Sequence, residues 1–179
     1  MRENTLSSLS GQYLAPIKYS MNKLLPLFLL GSVLFFVSCS KSHENRCLTT
    51  IDVAADTTEV KNLKAYLDAR GIKATADPRG FFYIINNPGD TTLRPSVCST
   101  IATSYTGRLT DGNQFDASNY TTLSLSNLVL GWQEGLPLIG KGGNITLYVP
   151  PSLGYGTIAR STIPANSTLV FYIDLLNVL

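Results

Sequence analysis

The chain has 179 residues with a formal net charge of +2, and 44% of its residues are hydrophobic. This length fits one ordinary domain with extensions. The 14 lysine and arginine residues are scattered along the chain, whereas a nucleic-acid binder needs clustered basic side chains to neutralise phosphates. The composition therefore argues against a nucleic-acid partner. Frequent Gly and Pro favour a β-rich domain with many turns.

An apolar stretch near the amino terminus indicates export. Residues 24–37 are almost wholly apolar and follow Lys23. The stretch has about 14 residues, which is short of the roughly 20 that a membrane-spanning helix needs, and it matches the apolar core of a secretory signal peptide. Cys39 follows directly, and the sequence from Phe36 to Cys39 resembles a bacterial lipobox, although Phe36 stands where Leu is usual. We expect a lipoprotein signal peptide over 21–38 and a lipid on Cys39.

The alternative to a lipoprotein signal peptide is an uncleaved anchor or a chance cysteine at this position.

Residues 1–20 are polar and mixed and do not resemble a signal. Our hypothesis is that translation begins at Met21 and that residues 1–20 are a non-native extension. A lipidated cysteine implies the bacterial cell envelope, and we expect an anchor in the outer membrane with the domain facing the periplasm.

Cysteine usage leaves two possibilities open. Export implies an oxidising compartment, and with Cys39 lipidated only Cys47 and Cys98 remain as thiols. A disulfide between them would close a loop of roughly 50 residues and contribute about 4 kcal/mol in the entropic account. Two independent thiols are the other possibility, because sequence alone cannot place two Cα atoms within bonding distance.

The mature chain begins with a tether and a helix. Residues 39–56 are polar and are typical of a tether. From Thr57 to Arg70 the pattern predicts a helix, capped by Thr57 or Thr58 and ended by Gly71. Its apolar residues recur at three- and four-residue spacing: Val60, Leu63, Tyr66 and Leu67. We expect residues 57–80 to be an accessory helix and connection that packs on the domain; a role in binding a partner is less favoured.

Residues 81–179 carry the pattern of an α+β domain. Apolar and β-branched runs bounded by turn residues predict strands over 81–85, 97–109, 144–149 and 168–176. A short helix around Trp132 is predicted over 128–139, with Pro137 near its end, where a missing backbone donor costs least. We therefore expect an antiparallel sheet wrapped over one short helix.

Several kinds of catalytic site are excluded by the residues present. His43 is the only histidine, and it lies in the tether. A Ser-His-Asp or Cys-His catalytic set is therefore not expected. A structural zinc site needs four Cys or His ligands, which the mature domain does not offer. We expect neither a metal nor a cofactor.

Three segments share the order and approximate spacing of one known family. The first is YTGRLTDGNQFDAS over 105–118, and the second is LVLGWQEGL over 128–136. The third joins VPPSLGYG over 149–156 to IPANSTLVF over 163–171. Together they resemble the FKBP-type peptidyl-prolyl cis-trans isomerases, and the resemblance covers roughly residues 81–179.

The resemblance implies an apolar pocket with Trp132 as its floor. Its walls would be formed by Tyr105, Phe115, Leu128, Val129, Tyr155, Ile163 and Phe171. Leu123 is the match for a further, usually aromatic wall. The family has Val-Ile where this chain has Leu128-Val129, the loop between Gly156 and Ile163 is about one residue shorter, and Ala165 replaces a common proline. These departures affect the rim and the substrate preference more than the floor.

Roles for individual side chains follow from the resemblance. The substrate proline ring would pack on Trp132, and the Tyr155 hydroxyl would donate a hydrogen bond to a substrate carbonyl. Asp116 would accept a hydrogen bond from the Tyr105 hydroxyl and so orient the rim. Residues 152–166 would form a flap over the pocket. Without the family register, these aromatic residues would be interpreted simply as core.

The implied reaction is rotation about an X–Pro amide bond, which has a barrier of about 18–20 kcal/mol because resonance must be lost. The twisted transition state is less dipolar than the planar amide, so a dry apolar pocket favours it without a nucleophile or a proton transfer. Each 1.36 kcal/mol of differential stabilisation gives about tenfold in rate.

Two functions therefore remain open on sequence grounds. One is a monomeric isomerase that binds proline-containing polypeptides and assists the folding of exported proteins, held at the membrane through its lipid anchor. The other is a domain of the same fold that serves as a binding module or envelope-complex subunit with little catalysis.

Overall fold

The computed structural model describes residues 53–179. This part of the chain folds into one antiparallel six-stranded sheet of order β1-β2-β5-β6-β3-β4, together with two α-helices. The elements in chain order are α1 (Thr57–Ala69), β1 (Thr75–Ala76), β2 (Phe82–Asn87), β3 (Thr100–Leu109), β4 (Gln114–Ser124), α2 (Leu130–Gly135), β5 (Gly143–Val149) and β6 (Leu169–Val178). Between residues 53 and 179, no helix is long and apolar enough to cross a membrane.

The side chains of the central strand β6 alternate between the two faces of the sheet. Its inward side chains are all buried: Leu169, Phe171, Ile173 and Leu175. On the other face of the strand, Val170 is buried, whereas Tyr172, Asp174 and Leu176 are exposed. The predicted strand and its apolar face are both confirmed, and this face forms the main core together with α2 and β5.

Helix α2 lies directly against β5 because two glycines remove the side chains that would separate them. A Cβ at Gly131 would lie 2.5 Å from Val149 Cγ2, and one at Gly135 would lie 2.6 Å from Leu147 Cδ2. The helix is shorter than the predicted 128–139. At its start, a 3₁₀ turn at Leu125–Asn127 is followed by Leu128 and Val129 in extended conformation, and a second 3₁₀ turn at Leu136–Leu138 takes up its end. Pro137 lies in the second turn, as predicted.

Helix α1 packs on the opposite face of the sheet. Its buried residues Leu63 and Leu67 contact Phe82, Tyr148 and Val170, which point away from the α2 side. These five residues are the centre of a second apolar cluster. The predicted packing of an accessory helix on the domain is therefore confirmed.

The predicted cap of α1 by Thr57 or Thr58 is wrong. The carboxylate of Asp56 accepts hydrogen bonds from the backbone N–H groups of Thr58 at 2.8 Å and Glu59 at 3.3 Å. An aspartate is favoured here because its charge also interacts with the positive end of the helix dipole. The same hydrogen bonds lower the pKa of Asp56 below its ordinary value. At the other end, Gly71 has a φ of +64° and ends the helix as predicted.

Strand β4 has no counterpart among the predicted strands. It lies at the edge of the sheet and is mostly exposed, so its sequence QFDASNYTTLS lacks the alternation of apolar and polar residues that marks a half-buried strand. Its neighbour β3 begins at Thr100, later than the predicted 97. Three consecutive β3 residues, Ile101, Ala102 and Thr103, are buried, because the register shifts beside them and interrupts the two-residue period.

Helix α2 carries a buried acidic residue that faces Arg79. The side chain of Glu134 is 2% exposed, and its carboxylate lies 3.8 Å from the guanidinium of Arg79. Arg79 also forms an ion pair with Asp77 at 2.8 Å. Burial raises the pKa of Asp77, but the hydrogen bonds and the charge of Arg79 outweigh burial and hold that pKa below its ordinary value.

Cys98 lies on an exposed turn before β3 and is disulfide-bonded. Its partner lies outside the described residues, so the pairing with Cys47 stays a prediction. Cys39, the predicted signal peptide and most of the predicted tether also lie outside the described residues.

Candidate functional site

A cavity of about 130 Å³ opens between α2 and the sheet. Side chains from β3, β4, β6, the segment before α2, α2 itself and the loop after β5 converge on it. Its lining residues are Tyr105, Asp116, Leu123, Asn127, Leu128, Val129, Trp132, Tyr155 and Phe171. Aromatic and aliphatic side chains thus surround a few polar groups, which is the usual composition of a small-ligand site.

Three aromatic rings meet at near right angles in this cavity. The ring of Trp132 lies 5.2 Å from that of Tyr105 at 89° and 5.4 Å from that of Phe171 at 86°. Edge-to-face contact is the favoured geometry for such pairs. Trp132 is only 3% exposed, so its position is fixed by packing before any ligand arrives.

A fourth ring supports this set from behind. Phe115 on β4 packs edge-to-face against Phe171, with 5.6 Å between the ring centroids. A Cβ at Gly107 would lie 2.6 Å from the Phe115 ring and 3.2 Å from that of Phe171. Only a glycine on β3 lets the Phe115 ring lie across the strand.

The polar rim is built across the β3–β4 pair. The Tyr105 hydroxyl donates a hydrogen bond of 2.6 Å to Asp116 Oδ2. Burial raises the pKa of Tyr105 well above its ordinary value, and the hydrogen bond and negative charge of Asp116 raise it further. The Tyr105 hydroxyl therefore keeps its proton at neutral pH and acts as a donor to Asp116.

Tyr155 comes from the long loop between β5 and β6, the predicted flap. The loop starts in a 3₁₀ turn, Pro151–Leu153. The backbone N–H of Gly156 donates to the Pro151 carbonyl at 2.8 Å, and that of Asn166 donates to the Gly156 carbonyl at 2.8 Å. Gly156, the residue after Tyr155, is thus tied to both ends of the loop.

The tip of the flap is closed by an isolated antiparallel β-bridge. Arg160 and Ile163 exchange two backbone hydrogen bonds of 2.9 and 2.7 Å. The Arg160 guanidinium carbon lies 5.8 Å from the centroid of the Tyr155 ring, within the range of a cation–π contact.

The structure brings most of the predicted site residues together. Eight of the ten residues predicted for the pocket line the cavity, and Leu123, placed there only through an uncertain match to the family, is among them. Phe115 stands behind Phe171, and Ile163 is buried in the core cluster next to the site. Contact of these two residues with substrate stays a prediction.

Asn127 lines the cavity and was missed at the level of sequence. It is the last residue of the 3₁₀ turn before α2. A single asparagine in a turn has many structural explanations, so no signal in the sequence distinguished it.

The arrangement is suited to binding an apolar group with a polar edge. Among residues 53–179, no three His, Cys, Asp or Glu side chains form a group that could hold a metal ion. Fold and site together define an α+β domain whose aromatic cavity lies between an antiparallel sheet and a short helix.

Comparison with known proteins gives the family. Residues 92–176 match the model of the FKBP-type peptidyl-prolyl cis-trans isomerases. FkpA from Buchnera aphidicola subsp. Schizaphis graminum is 40% identical over 120 residues, covering 65% of this chain and 47% of that relative. FkpA from Aeromonas hydrophila is 35% identical over 133 residues, covering 68% and 48%.

Solved structures of this family also resemble this chain. The crystal structure of FkpA from Escherichia coli superposes with a TM-score of 0.61 and 34% identity, covering 68% of this chain and 59% of that chain. A peptidyl-prolyl cis-trans isomerase from Pseudomonas syringae gives a TM-score of 0.59 and 26% identity, covering 70% and 98%. Residues 92–176 are therefore a domain of the FKBP-type family. The chain spans about half the length of the curated relatives it matches.

Proposed function

We propose that this protein is a peptidyl-prolyl cis-trans isomerase that assists the folding of exported proteins. One observation carries the proposal: the rings of Tyr105 and Phe171, each nearly perpendicular to that of Trp132, line a cavity whose rim holds the Tyr105–Asp116 hydrogen bond. This arrangement supports the pocket that the family resemblance implies. The proposed substrates are polypeptides that contain an X–Pro bond.

Catalysis would come from the environment of the bound amide. The proline ring packs on Trp132, which is already held by its neighbours, so little freedom is lost on binding. The surrounding apolar side chains disfavour the dipolar planar amide relative to the twisted transition state. Only such differential binding accelerates the reaction. Tyr155, at the cavity mouth, would donate a hydrogen bond to a substrate carbonyl.

A peptide assay with two matched variants tests the proposal. Isomerisation of a short X–Pro peptide is followed with wild type, Tyr155→Phe and Tyr120→Phe. Tyr120 is 66% exposed on β4 and does not line the cavity, so removing its hydroxyl is the control. We expect wild type and Tyr120→Phe to accelerate the reaction equally, and Tyr155→Phe to lose about tenfold in kcat/KM, the cost of one hydrogen bond.

The same assay distinguishes the alternative function, a binding module or complex subunit with little catalysis. Folded wild type that binds the peptide without accelerating isomerisation would refute the enzyme and leave a binding module or complex subunit. Equal losses in Tyr155→Phe and Tyr120→Phe would refute the role of Tyr155 while leaving the activity in place.

We further propose that the protein is a monomer anchored to the outer membrane through a lipid on Cys39, with the domain facing the periplasm. The apolar stretch followed by a small residue and Cys39 supports this. Radiolabelled fatty acid should be incorporated by wild type and by Cys47→Ser, but not by Cys39→Ser. Equal labelling of Cys39→Ser would refute the anchor site. Sedimentation of the lipid-free protein at the mass of a dimer would refute the monomer.

A further inference from the structure

The first turn of α1 reaches across to the base of the flap. Glu59 Oε2 accepts a 2.9 Å hydrogen bond from the backbone N–H of Ser152 and a 2.6 Å hydrogen bond from its hydroxyl. The Ser152 oxygen in turn accepts a hydrogen bond of 3.3 Å from the backbone N–H of Asp56. Ser152 therefore uses both its donor and its acceptor to join the helix to the flap.

Ser152 lies close in the chain to Tyr155, which lines the cavity, so a shift of Ser152 would move Tyr155. It is the middle residue of the 3₁₀ turn Pro151–Leu153, three positions before Tyr155. The residues on either side of Tyr155 donate backbone hydrogen bonds to the Pro151 carbonyl of this turn, Gly154 at 2.9 Å and Gly156 at 2.8 Å. The position of Tyr155 therefore depends on the turn Pro151–Leu153, which Glu59 contacts through Ser152.

The chemistry of the contact favours a defined position over a loose one. A carboxylate that accepts two hydrogen bonds from one residue fixes both distance and direction, and bonds to a charged acceptor are stronger than neutral ones. The apolar contacts of α1, through Leu63 and Leu67, go to the sheet on the far side from the cavity. They hold the helix to the domain, whereas Glu59 connects it to the flap.

We propose that Glu59 is a positioning residue that sets the place of Tyr155 at the mouth of the cavity. The proposal rests on the proposed function for its activity readout. It assigns the accessory helix a part in the reaction, although none of its residues lines the cavity.

A double-mutant cycle separates positioning from general stability. Glu59→Gln keeps the shape of the side chain and removes the charge. We expect it to lower kcat/KM about threefold to tenfold in the wild-type background and to have no further effect in a Tyr155→Phe background, because the hydroxyl it positions is already gone. Ser152→Ala should show the same pattern. Lys61→Gln, on an exposed position of the same helix, is the control and should change neither background.

Two results of this cycle would contradict the proposal. An equal fold-loss in both backgrounds would mean that Glu59 acts on the whole domain, and no loss in wild type would mean that the flap sets its own position. Amide hydrogen exchange provides a readout that does not depend on activity. Exchange over residues 154–158 should be faster in Glu59→Gln than in wild type and Lys61→Gln. Unchanged exchange would refute the proposal even if the protein proved not to be an isomerase.

Discussion

The Tyr105–Asp116 pair is the residue-scale feature that links sequence, electrostatics and site. Both residues were predicted from the family register, and the structure joins them by a 2.6 Å hydrogen bond. Burial and the neighbouring carboxylate both disfavour the phenolate. The hydroxyl is therefore locked as a donor to Asp116, and the aromatic face of Tyr105 remains available to the cavity.

This pair predicts how stability depends on alkaline pH. The folded-state pKa of Tyr105 is raised above its unfolded value of 10.0, so its contribution is present below that pH and is lost as the pH rises through the folded pKa. In Tyr105→Phe, the free energy of unfolding should decline less steeply above about pH 10 than in wild type. Denaturant unfolding at a series of pH values measures this. Parallel curves would contradict the buried, hydrogen-bonded tyrosine.

Site residues with distinctive side chains in the family register could be predicted from the sequence. Residues whose role depends on the local backbone geometry could not. Trp132, Tyr155 and Phe171 have side chains whose size marks them. Asn127 contributes through the position of its turn, which sequence does not display. The cap at Asp56 was missed because Thr57 and Thr58 are acceptable caps in the same place, and only the backbone geometry selects among neighbours.

At the scale of elements, the close approach of α2 to β5 determines where Trp132 sits. The approach depends on Gly131, whose hydrogen points at Val149 where a methyl group would clash. Gly131→Ala should therefore cost about 2 kcal/mol of the free energy of unfolding, which is typical of overpacking. Adding Val149→Ala removes the clashing methyl groups and should recover part of that loss.

Unfolding of the two single variants and the double variant measures the coupling. Gly131→Ala should be less destabilising in the Val149→Ala background than in wild type. Additive losses would show that the helix does not rest on Val149 as the structure has it. Near-UV circular dichroism should report a changed environment of Trp132 in Gly131→Ala.

Elements were predictable in proportion to how much they bury. Strands β5 and β6 and helix α1 have clear apolar faces, and all three were predicted. Strand β4 was not, because it lies at the sheet edge and carries Asp, Asn and Thr on exposed positions. Its place is set by pairing with β3 in a hairpin, which an alternation of apolar and polar residues within β4 does not display.

At the scale of the whole molecule, the sheet is covered on both faces. The α2 side carries the cavity, and the α1 side carries an apolar cluster centred on Leu63 and Leu67. The helix is therefore part of the folded unit and should melt with it. Residues 53–179 can be treated as one cooperative domain in which distant helix contacts support the site.

Truncating one buried side chain of α1 tests this unity. Leu67→Ala should lower the free energy of unfolding by about 2–4 kcal/mol, as for other buried leucines. Lys61→Ala, exposed on the same helix, should change it by less than about 0.5 kcal/mol. Both should unfold in a single transition by far-UV circular dichroism and by Trp132 fluorescence. A separate early transition of the helix in Leu67→Ala would contradict a single cooperative unit.

The proposed reaction is X–Pro isomerisation in an apolar aromatic cavity without proton transfer. The most direct measurement is kcat/KM of the wild-type protein on an X–Pro peptide across about pH 6 to 9, a range in which the Tyr105 hydroxyl keeps its proton because burial raises its pKa. We expect clear acceleration over the spontaneous rate with no dependence on pH, because the cavity would act through its environment alone. Folded protein that gives no acceleration, or a bell-shaped pH profile that reports an essential acid and base, would contradict it.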